Sequence, residues 1–227
     1  MNYRKTVLDF AKSMSRDNMA PGTTGNLSVI DRSRGLIYIT PTSLSYDTME
    51  ESDIVVVDAQ TGEVVEGTHK PSSELPMHRV FYDGRSDANA VIHTHSRYAT
   101  LLACMGWDLE MIHYQLGMAT KDKVRCTPYM LSHSKEFGET ALRYAEGNSA
   151  VLLGNHGVLC FGPSMGYAYD EMQQVEFCAE LYYKARLAGS PRILTPQEAE
   201  EVAPRFEKKR AAALAEIERA AAEQSHA

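Results

Sequence analysis

The clearest indication of the fold class comes from residues 90–106, which read AVIHTHSRYATLLACMG. The first part, Ala90–His95, is an apolar segment of strand length, and the second part, Ser96–Met105, is a short helix pattern that ends at Gly106. The middle of the chain repeats this change from strand to helix. Such an alternation predicts a sheet that is covered by helices on both of its faces.

The residues before this segment predict an amphipathic helix followed by antiparallel strands. The helix is expected over 3–16, and the strands at 27–30, 35–40, 54–58 and 63–66. A second helix is expected over Ser72–Asp83, with Ser72 or Ser73 as its N-cap and Pro76 in its first turn.

After residue 106 the same organisation continues. Short strands are expected at 111–114 and 124–126, helices at 135–146 and 164–187, and strands at 150–153 and 158–161. The segment 196–227 is charged and rich in alanine, which predicts a surface helix or a partly mobile tail that Pro204 breaks in two. We therefore predict a single domain over 1–227 with a helical tail over 196–227. Its fold class is α/β, a three-layer α/β/α sandwich around a mixed, largely antiparallel sheet.

The composition is that of a globular protein with an acidic surface. Of the 227 residues, 44% are hydrophobic, and 23 Lys and Arg against 30 Asp and Glu give a net charge of −7. This charge disfavours nucleic acids and anionic membranes as partners. Because the sequence shows no membrane-length apolar run, no signal peptide and only scattered cysteines, we expect a cytoplasmic protein with reduced thiols.

Two histidines that lie two residues apart on a predicted strand are the first candidates for chemistry. His93 and His95 point to the same face of the sheet, since side chains alternate along a strand. Such a pair supplies two of the three protein ligands of an open zinc site, although an isolated pair also occurs where both rings only cap a strand end. His156, in the tight loop 154–157 between two apolar strands, is a candidate third ligand.

Small polar residues near the ends of predicted elements form a candidate anion site. Pro71–Glu74 places two hydroxyl groups and free backbone N–H groups at a helix start, a pattern typical of a phosphate site or of an ordinary N-cap. Gly25-Asn26 and Thr40–Ser43 add further amide and hydroxyl donors. Glu74 lies beside this site, where it is a candidate general acid and base.

Six short motifs occur in one order along the chain. They read GTTGN (22–26), ITPTS (39–43), PSSE (71–74), VIHTHS (91–96), IHY (112–114) and NHG (155–157). In order and spacing, over residues 4–190, the chain resembles the class II aldolase and adducin family, and within it the enzymes that cleave L-fuculose 1-phosphate.

This resemblance implies one divalent cation per subunit, usually Zn²⁺ with Co²⁺, Mn²⁺ or Ni²⁺ as alternatives, held by His93, His95 and His156. It implies Glu74 as the acid/base residue, able to ligate the metal when substrate is absent. Tyr114 is implied as the residue that protonates the aldehyde oxygen across a subunit boundary, in a homotetramer with active sites at its interfaces. The implied phosphate-binding residues are Gly25, Asn26, Thr42, Ser43, Ser72 and Ser73.

The reaction that the resemblance implies is the reversible cleavage of a ketose 1-phosphate, through a metal-stabilised enediolate, to dihydroxyacetone phosphate and a small aldehyde. The chain departs from the fuculose phosphate enzymes at two places. Ser43 replaces a glycine beside the phosphate, and no tyrosine follows Tyr183, where those enzymes have one in the C-terminal tail. We therefore expect a smaller or less polar aldehyde half, as in 5-deoxyribulose or 5-methylthioribulose 1-phosphate.

Other outcomes remain open on the same scaffold. A 3-oxo-tetronate 4-phosphate decarboxylase and a methylthioribulose-1-phosphate dehydratase share the histidines and the glutamate, and a ribulose-phosphate 4-epimerase carries aspartate in place of Glu74. A non-enzymatic, adducin-like binding module is disfavoured, because adducin heads lack the metal histidines.

Overall fold

The computed structural model describes residues 2–225, with side chains as far as residue 219, so the last two residues of the predicted tail, 226–227, lie outside the described residues. We number the elements in chain order. The helices within the described residues are α1 (Tyr3–Arg16), α2 (Leu75–Gly84), α3 (Arg97–Met105), α4 (Lys135–Tyr144), α5 (Met165–Ala188) and α6 (Pro196–Ser225). The strands are β1 (Asn26–Asp31), β2 (Leu36–Ile39), β3 (Val55–Asp58), β4 (Val64–Glu66), β5 (Ala90–Thr94), β6 (Leu109–Glu110), β7 (Lys123–Val124), β8 (Ala150–Leu153) and β9 (Gly157–Gly162).

Seven of these strands form one sheet in the order β4-β3-β2-β1-β5-β9-β8, while β6 and β7 pair separately. Every pairing between neighbouring strands is antiparallel. Within residues 2–225, the one parallel pairing is an isolated bridge between Cys126 and Leu152. Strand β5 therefore lies inside the sheet, between β1 and β9. His93 near its end and His95 directly after it lie where β1 and β9 begin.

Both faces of the sheet are covered, which confirms the predicted three-layer α/β fold. Ile92 packs with Leu102 of α3 and Met172 of α5 in a core that α1 also enters. Its neighbour Val91 packs with Phe81 of α2 in a second core, which α4 completes from the other face. Successive apolar residues of β5 thus pack alternately into the two cores. Because both faces of the strand are buried, a shift of its register by one residue is excluded.

The start of α2 differs from the prediction. Its N-cap is Glu74, not Ser72 or Ser73. The Ser72 hydroxyl accepts a hydrogen bond from the backbone N–H of Glu74 at 3.3 Å, and the Ser72 carbonyl accepts one from Leu75 at 3.0 Å. The hydroxyl and carbonyl of Ser72 thus accept hydrogen bonds in a turn that precedes the helix. This turn leads into Glu74, whose side chain therefore lies at the N-terminus of α2.

A further prediction of secondary structure is wrong. The segment 111–114 is not a strand: the strand is Leu109–Glu110, and Tyr114–Met118 is a 3₁₀ helix. The His113 side chain accepts a hydrogen bond from the N–H of Gln115 at 3.3 Å and so caps that turn. A short apolar run does not by its length alone distinguish a strand from a turn of helix.

Pro204 does not break the tail, because α6 continues through it. A proline removes one donor from the helix, and contacts of neighbouring residues hold the helix in place. Phe206 is buried against Met118 and Tyr167, and the guanidinium of Arg210 lies 2.6 Å from the carboxylate of Asp87. None of the described helices combines the length and the apolar character that a bilayer-crossing segment requires.

Candidate active site and metal centre

The register of three strands gathers the predicted site residues at one end of the sheet. His93 on β5 lies directly opposite Asn26 on β1, and Thr94 lies opposite Val158 on β9. Because β5 ends where its two neighbours begin, the GTTGN loop and the tight turn at 154–157 flank the histidine pair. Long-range strand pairing therefore brings together motifs that are far apart in the chain.

Three imidazole rings meet at this end of β5. The ring centroids of His93, His95 and His156 lie 4.8 to 5.0 Å from one another. One nitrogen from each ring lies within 4.8 Å of the other two, an arrangement that can hold a metal ion. The Nε2 atoms of His93 and His95 are only 3.1 Å apart, so both cannot carry a proton at once.

Hydrogen bonding and burial favour the neutral form that binds metal ions. Nδ1 of His93 donates to the carbonyl of Val158 at 2.9 Å, which leaves Nε2 as a free lone pair facing the other rings. Burial, together with the neighbouring imidazole of His93, lowers the pKa of both His95 and His156 to about 4. The three rings therefore present lone pairs to one another, and a shared cation is the group that this donor set fits.

The carboxylate of Glu74 completes the cluster. Its Oε2 atom lies 3.2 Å from Nε2 of His93, and its Oε1 atom lies 3.3 Å from Nε2 of His156. Burial raises the pKa of this carboxyl group, but positive charge at the His93 imidazole and a hydrogen bond of 2.8 Å from Nδ2 of Asn26 outweigh it and lower the pKa to about 2. Three imidazole nitrogens and one ionised carboxylate form a donor set typical of zinc and related divalent ions.

A glycine allows the rings to approach each other. A Cβ atom at Gly157 would lie 2.4 Å from the carbonyl oxygen of Thr94 and 3.1 Å from ring carbons of His93 and His95. Any side chain at residue 157 would therefore push β9 or the imidazoles apart. The NHG motif thus contributes both a histidine and the space that the other two histidines need.

A polar cavity of about 210 Å³ opens beside the histidines. Its two serine- and threonine-containing segments are held together by an antiparallel bridge between Pro41 and Pro71 and by a hydrogen bond of 3.0 Å from the N–H of Ser72 to the carbonyl of Thr40. The predicted site residues that line this cavity are Gly25, Asn26, Thr42, Ser43, Ser72, Ser73, Glu74, His95 and His156. His93 lies completely buried directly behind them.

Ser43 occupies this wall in an unusual backbone conformation. Its φ angle is +59°, in the left-handed region that glycine adopts without a steric penalty. The resemblance places a glycine at this position, so the serine keeps the backbone shape that a glycine would have. The change therefore adds a hydroxyl group to the cavity wall.

Tyr114 does not reach the cavity of its own chain. It lies in the 3₁₀ helix after β6, 39% exposed, and its ring faces the guanidinium of Arg205 at 5.6 Å. It is absent from the residues that line the cavity. Within one chain, the structure brings together the other predicted site residues but leaves this tyrosine apart.

Two histidines near the site were not singled out by the sequence. His133 lines the cavity, with a φ angle of +76°, and no pattern in its loop indicated this. His78 is completely buried, and its Nε2 atom lies 2.5 Å from Oδ1 of Asn26. A signal for His78 was present: it follows Glu74 by four residues at the start of a helix, a spacing that puts two side chains on one face.

Comparison with known proteins adds an independent line of evidence. Residues 5–183 match the family model described as "Class II Aldolase and Adducin N-terminal domain". The match begins within α1 and ends within α5, so it includes the whole seven-stranded sheet and every residue of the cluster.

Individual relatives cover most of the chain. A 5-deoxy-D-ribulose 1-phosphate aldolase of Bacillus thuringiensis serovar kurstaki is 37% identical, over 90% of this chain and 95% of the relative. A 5-methylthioribulose-1-phosphate/5-deoxyribulose-1-phosphate aldolase of Rhodospirillum rubrum is 34% identical, over 89% of this chain and 90% of the relative. A solved structure of an L-fuculose 1-phosphate aldolase superposes with a TM-score of 0.87 at 38% identity, and covers 90% of this chain and 96% of that one.

Proposed function

Since the chain belongs to the class II aldolase and adducin family, we propose that it is a metal-dependent aldolase that reversibly cleaves a ketose 1-phosphate to dihydroxyacetone phosphate and an aldehyde. The observation that carries this proposal is the meeting of three imidazoles and the Glu74 carboxylate at the edge of a polar cavity. The single domain predicted over 1–227 performs the reaction in this proposal, and α6 (Pro196–Ser225) belongs to its C-terminal tail.

His93, His95 and His156 are the residues that would hold the cation, with Glu74 as an added ligand when no substrate is bound. Zn²⁺ suits this donor set, and Co²⁺, Mn²⁺ and Ni²⁺ also bind imidazoles. The bound ion supplies Lewis-acid stabilisation of the negative charge that develops on substrate oxygens. Three protein nitrogens leave coordination positions open, as in a catalytic rather than a structural site.

The cavity wall is suited to the phosphate group of the substrate. Backbone N–H groups around Gly25 and the hydroxyls of Thr42, Ser43, Ser72 and Ser73 are neutral donors, and no lysine or arginine lines the cavity. Oriented neutral donors bind phosphate in many proteins without a formal positive charge. Asn26 joins this set through its second Nδ2 hydrogen, because the first is used by Glu74.

Glu74 is the group that moves the proton at C3. Its low pKa keeps it ionised at neutral pH, so in the condensation direction it accepts the proton of the breaking C3–H bond, whose electron pair moves toward the C2 carbonyl. The new C3–C4 bond then forms, and the aldehyde oxygen takes a proton to become the C4 hydroxyl. In the cleavage direction each of these transfers runs backward.

The proton for the aldehyde oxygen comes from Tyr114 of a neighbouring subunit in this proposal. The tyrosine is exposed and lies outside the cavity of its own chain, as a residue that serves a second chain must. A homotetramer with its active sites at the subunit interfaces provides that second chain. Association is thus part of the proposed activity, because one chain lacks the acid.

The aldehyde half of the substrate is small and weakly polar in this proposal, as in 5-deoxyribulose or 5-methylthioribulose 1-phosphate. The names of the Bacillus and Rhodospirillum relatives support this choice. The absence of any tyrosine after Tyr183 supports it too, because the tail has no phenol with which to bind a more hydroxylated aldehyde.

The test is an assay of dihydroxyacetone phosphate release by metal-stripped and metal-reloaded protein. The substrates are 5-deoxyribulose, 5-methylthioribulose and L-fuculose 1-phosphate, each compared by kcat/KM. We expect activity only after reloading and a preference for the first two. Release of a diketone phosphate without dihydroxyacetone phosphate would replace the proposal with a dehydratase. Release of carbon dioxide from a 3-oxo-tetronate 4-phosphate, assayed in parallel, would replace it with a decarboxylase, and preference for fuculose phosphate would overturn the substrate assignment.

A further inference from the structure

A chain of buried polar side chains runs away from Glu74 through the second core. Nδ2 of Asn26 lies 2.8 Å from Oε2 of Glu74, and Oδ1 of Asn26 lies 2.5 Å from Nε2 of His78. Nδ1 of His78 lies 2.7 Å from the hydroxyl of Ser28, which lies 2.7 Å from the hydroxyl of Tyr82. All five side chains belong to residues that are buried in the structure. We call this set, Tyr82, Ser28, His78, Asn26 and Glu74, the Glu74 relay.

From this geometry we infer that His78 is a positioning residue, which fixes the amide of Asn26 and through it the carboxylate of Glu74. The inference rests on the proposed function, because it assigns His78 a purpose in the proton transfer at C3. The imidazole of His78 does not line the cavity and contacts Asn26 on the side of Glu74, so the ring acts through Asn26.

The direction of every hydrogen bond in the Glu74 relay follows from the carboxylate. An ionised carboxylate only accepts, so Asn26 donates from Nδ2 and must present Oδ1 to His78. His78 then donates from Nε2, and its unprotonated Nδ1 accepts from the hydroxyl of Ser28. The hydroxyl of Ser28 in turn accepts from the hydroxyl of Tyr82. Each donor thus points along the relay toward Glu74.

This arrangement requires a neutral imidazole in one tautomer. The ring is completely buried, and its two nitrogens contact only uncharged groups, the amide oxygen of Asn26 and the hydroxyl of Ser28, so the neutral form is the one that fits. Of the two neutral tautomers, only the one with the proton on Nε2 donates to Asn26 and accepts from Ser28. The oxygen of the Asn26 carboxamide accepts from the His78 ring. If this carboxamide turned by 180°, its oxygen would face the carboxylate of Glu74.

The orientation of Asn26 matters because two functions meet at this residue. It lies opposite His93 in the strand pairing, and its Nδ2 atom contacts the same Oε2 atom that lies 3.2 Å from Nε2 of His93. If the amide turned, an acceptor would face Oε2 and repel the carboxylate from its place beside the imidazoles. The Asn26 hydrogen that is available to the phosphate group would be lost at the same time.

The experiment compares His78→Phe, which fills the ring volume without a donor, with His78→Gln, whose amide can restore a donor near the position of Nε2. His69→Phe is the control, since that imidazole is exposed and pairs with Asp53 at 2.9 Å. For each variant we measure kcat, KM and bound metal. We expect His78→Phe to lower kcat by ~10–100-fold, as loss of a supporting hydrogen bond does, with metal content within about twofold of wild type, and His78→Gln to recover most of the loss.

A wild-type kcat in His78→Phe, or equal losses in both His78 variants, would overturn the inference. If His78→Phe does not fold, His78→Gln and Tyr82→Phe carry the kinetic test, and nitrogen-15 spectra of the wild type test the tautomer. Those spectra should show a neutral ring with its proton on Nε2 between pH 6 and 8, and a proton on Nδ1 would overturn the inference. If the wild-type protein releases no dihydroxyacetone phosphate, the proposed function is wrong. The spectra still test the His78 tautomer in that case, because they do not depend on activity.

Discussion

Oε2 of Glu74 lies 3.2 Å from Nε2 of His93, the most deeply buried ring of the three. A carboxylate so close to a ligand nitrogen can bind the cation or move a proton, but the two roles differ in what a neutral replacement does. An amide still offers an oxygen to the site, whereas it cannot accept a proton at neutral pH. The pair therefore allows the two roles to be separated by one substitution.

Glu74→Gln should retain the metal and lose most of its turnover. General acid and base catalysis contributes about 10²–10⁴-fold, so we expect a fall of that order in kcat for dihydroxyacetone phosphate release. Metal analysis of the same sample shows whether the centre is intact, and Glu63→Gln, at an exposed residue outside the cavity, is the control. Undiminished turnover in Glu74→Gln would remove this residue from the mechanism.

Tyr114→Phe should be inactive alone and should regain activity when it is mixed with Glu74→Gln. In the proposed cyclic tetramer each site would take Glu74 from one chain and the tyrosine from its neighbour, so random equal mixing would restore about a quarter of the sites. The measurement is the specific activity of mixed tetramers. Mixing Glu74→Gln with the double variant Glu74→Gln/Tyr114→Phe is the control, and activity no higher than this control would show that the sites are not shared.

Gly25→Ala should disturb the metal centre, while Gly22→Ala should not. Both glycines have positive φ angles, of +73° and +64°, so alanine at either residue loses roughly 1–2 kcal/mol to backbone strain. Only at Gly25 would the added Cβ also meet a backbone atom, the carbonyl oxygen of His93 at 2.7 Å, whereas nothing lies within 4 Å at Gly22. We expect a larger fall in the free energy of unfolding and a loss of bound metal in Gly25→Ala alone. Equal effects of the two substitutions would contradict this.

Glu171→Gln should change how stability depends on pH. Glu171 on α5 is completely buried, its Oε2 accepts from the Ser149 hydroxyl at 2.8 Å, and its Oε1 has no hydrogen-bond partner. Burial raises the pKa of this carboxyl to about 8 from the ordinary 4.5. Between these values the folded chain holds a proton that the unfolded chain has released, so this group lowers the free energy of unfolding by about 1.4 kcal/mol for each pH unit of increase.

Glutamine cannot ionise, so the variant lacks this slope. The free energies of unfolding of wild type and Glu171→Gln, measured by urea denaturation from pH 5 to pH 8, should therefore diverge as the pH rises, in favour of the variant. Taking the difference between the two proteins removes the contributions of the other titrating groups. A difference that stays constant across this range would show that Glu171 is ionised in the folded state.

Much of this organisation is visible in local patterns. The helices 3–16 and 164–187 follow from apolar residues at helical spacing, and the strand 90–95 follows from its composition, each within a residue or two of the structure. The placement of His93 and His95 on one side follows from the two-residue period of a strand. The six motifs add the candidate site residues, apart from His78 and His133.

Other features depend on partners far away in the chain. The continuous α6 is held at Phe206 by Met118 and at Arg210 by Asp87. Both partners lie far earlier in the chain, so the residues around Pro204 do not by themselves predict that the helix continues. Glu74 becomes the N-cap of α2 because Ser72 is used in the preceding turn. The exclusion of Tyr114 from its own cavity likewise follows from the packing of the 3₁₀ helix against α6 rather than from its motif.

The identity and order of the chemical groups, and the face of β5 on which two of them lie, are thus encoded in the order of the residues, because strand and helix periods are local properties of the backbone. The convergence of these groups is not encoded locally. The pairing of β5 with β1 and β9 sets Asn26 opposite His93 and brings a nitrogen of His156 within 4.8 Å of a nitrogen of each of the other two rings. That register is chosen by burial on both faces of the sheet at once, and burial depends on the whole chain rather than on any one segment.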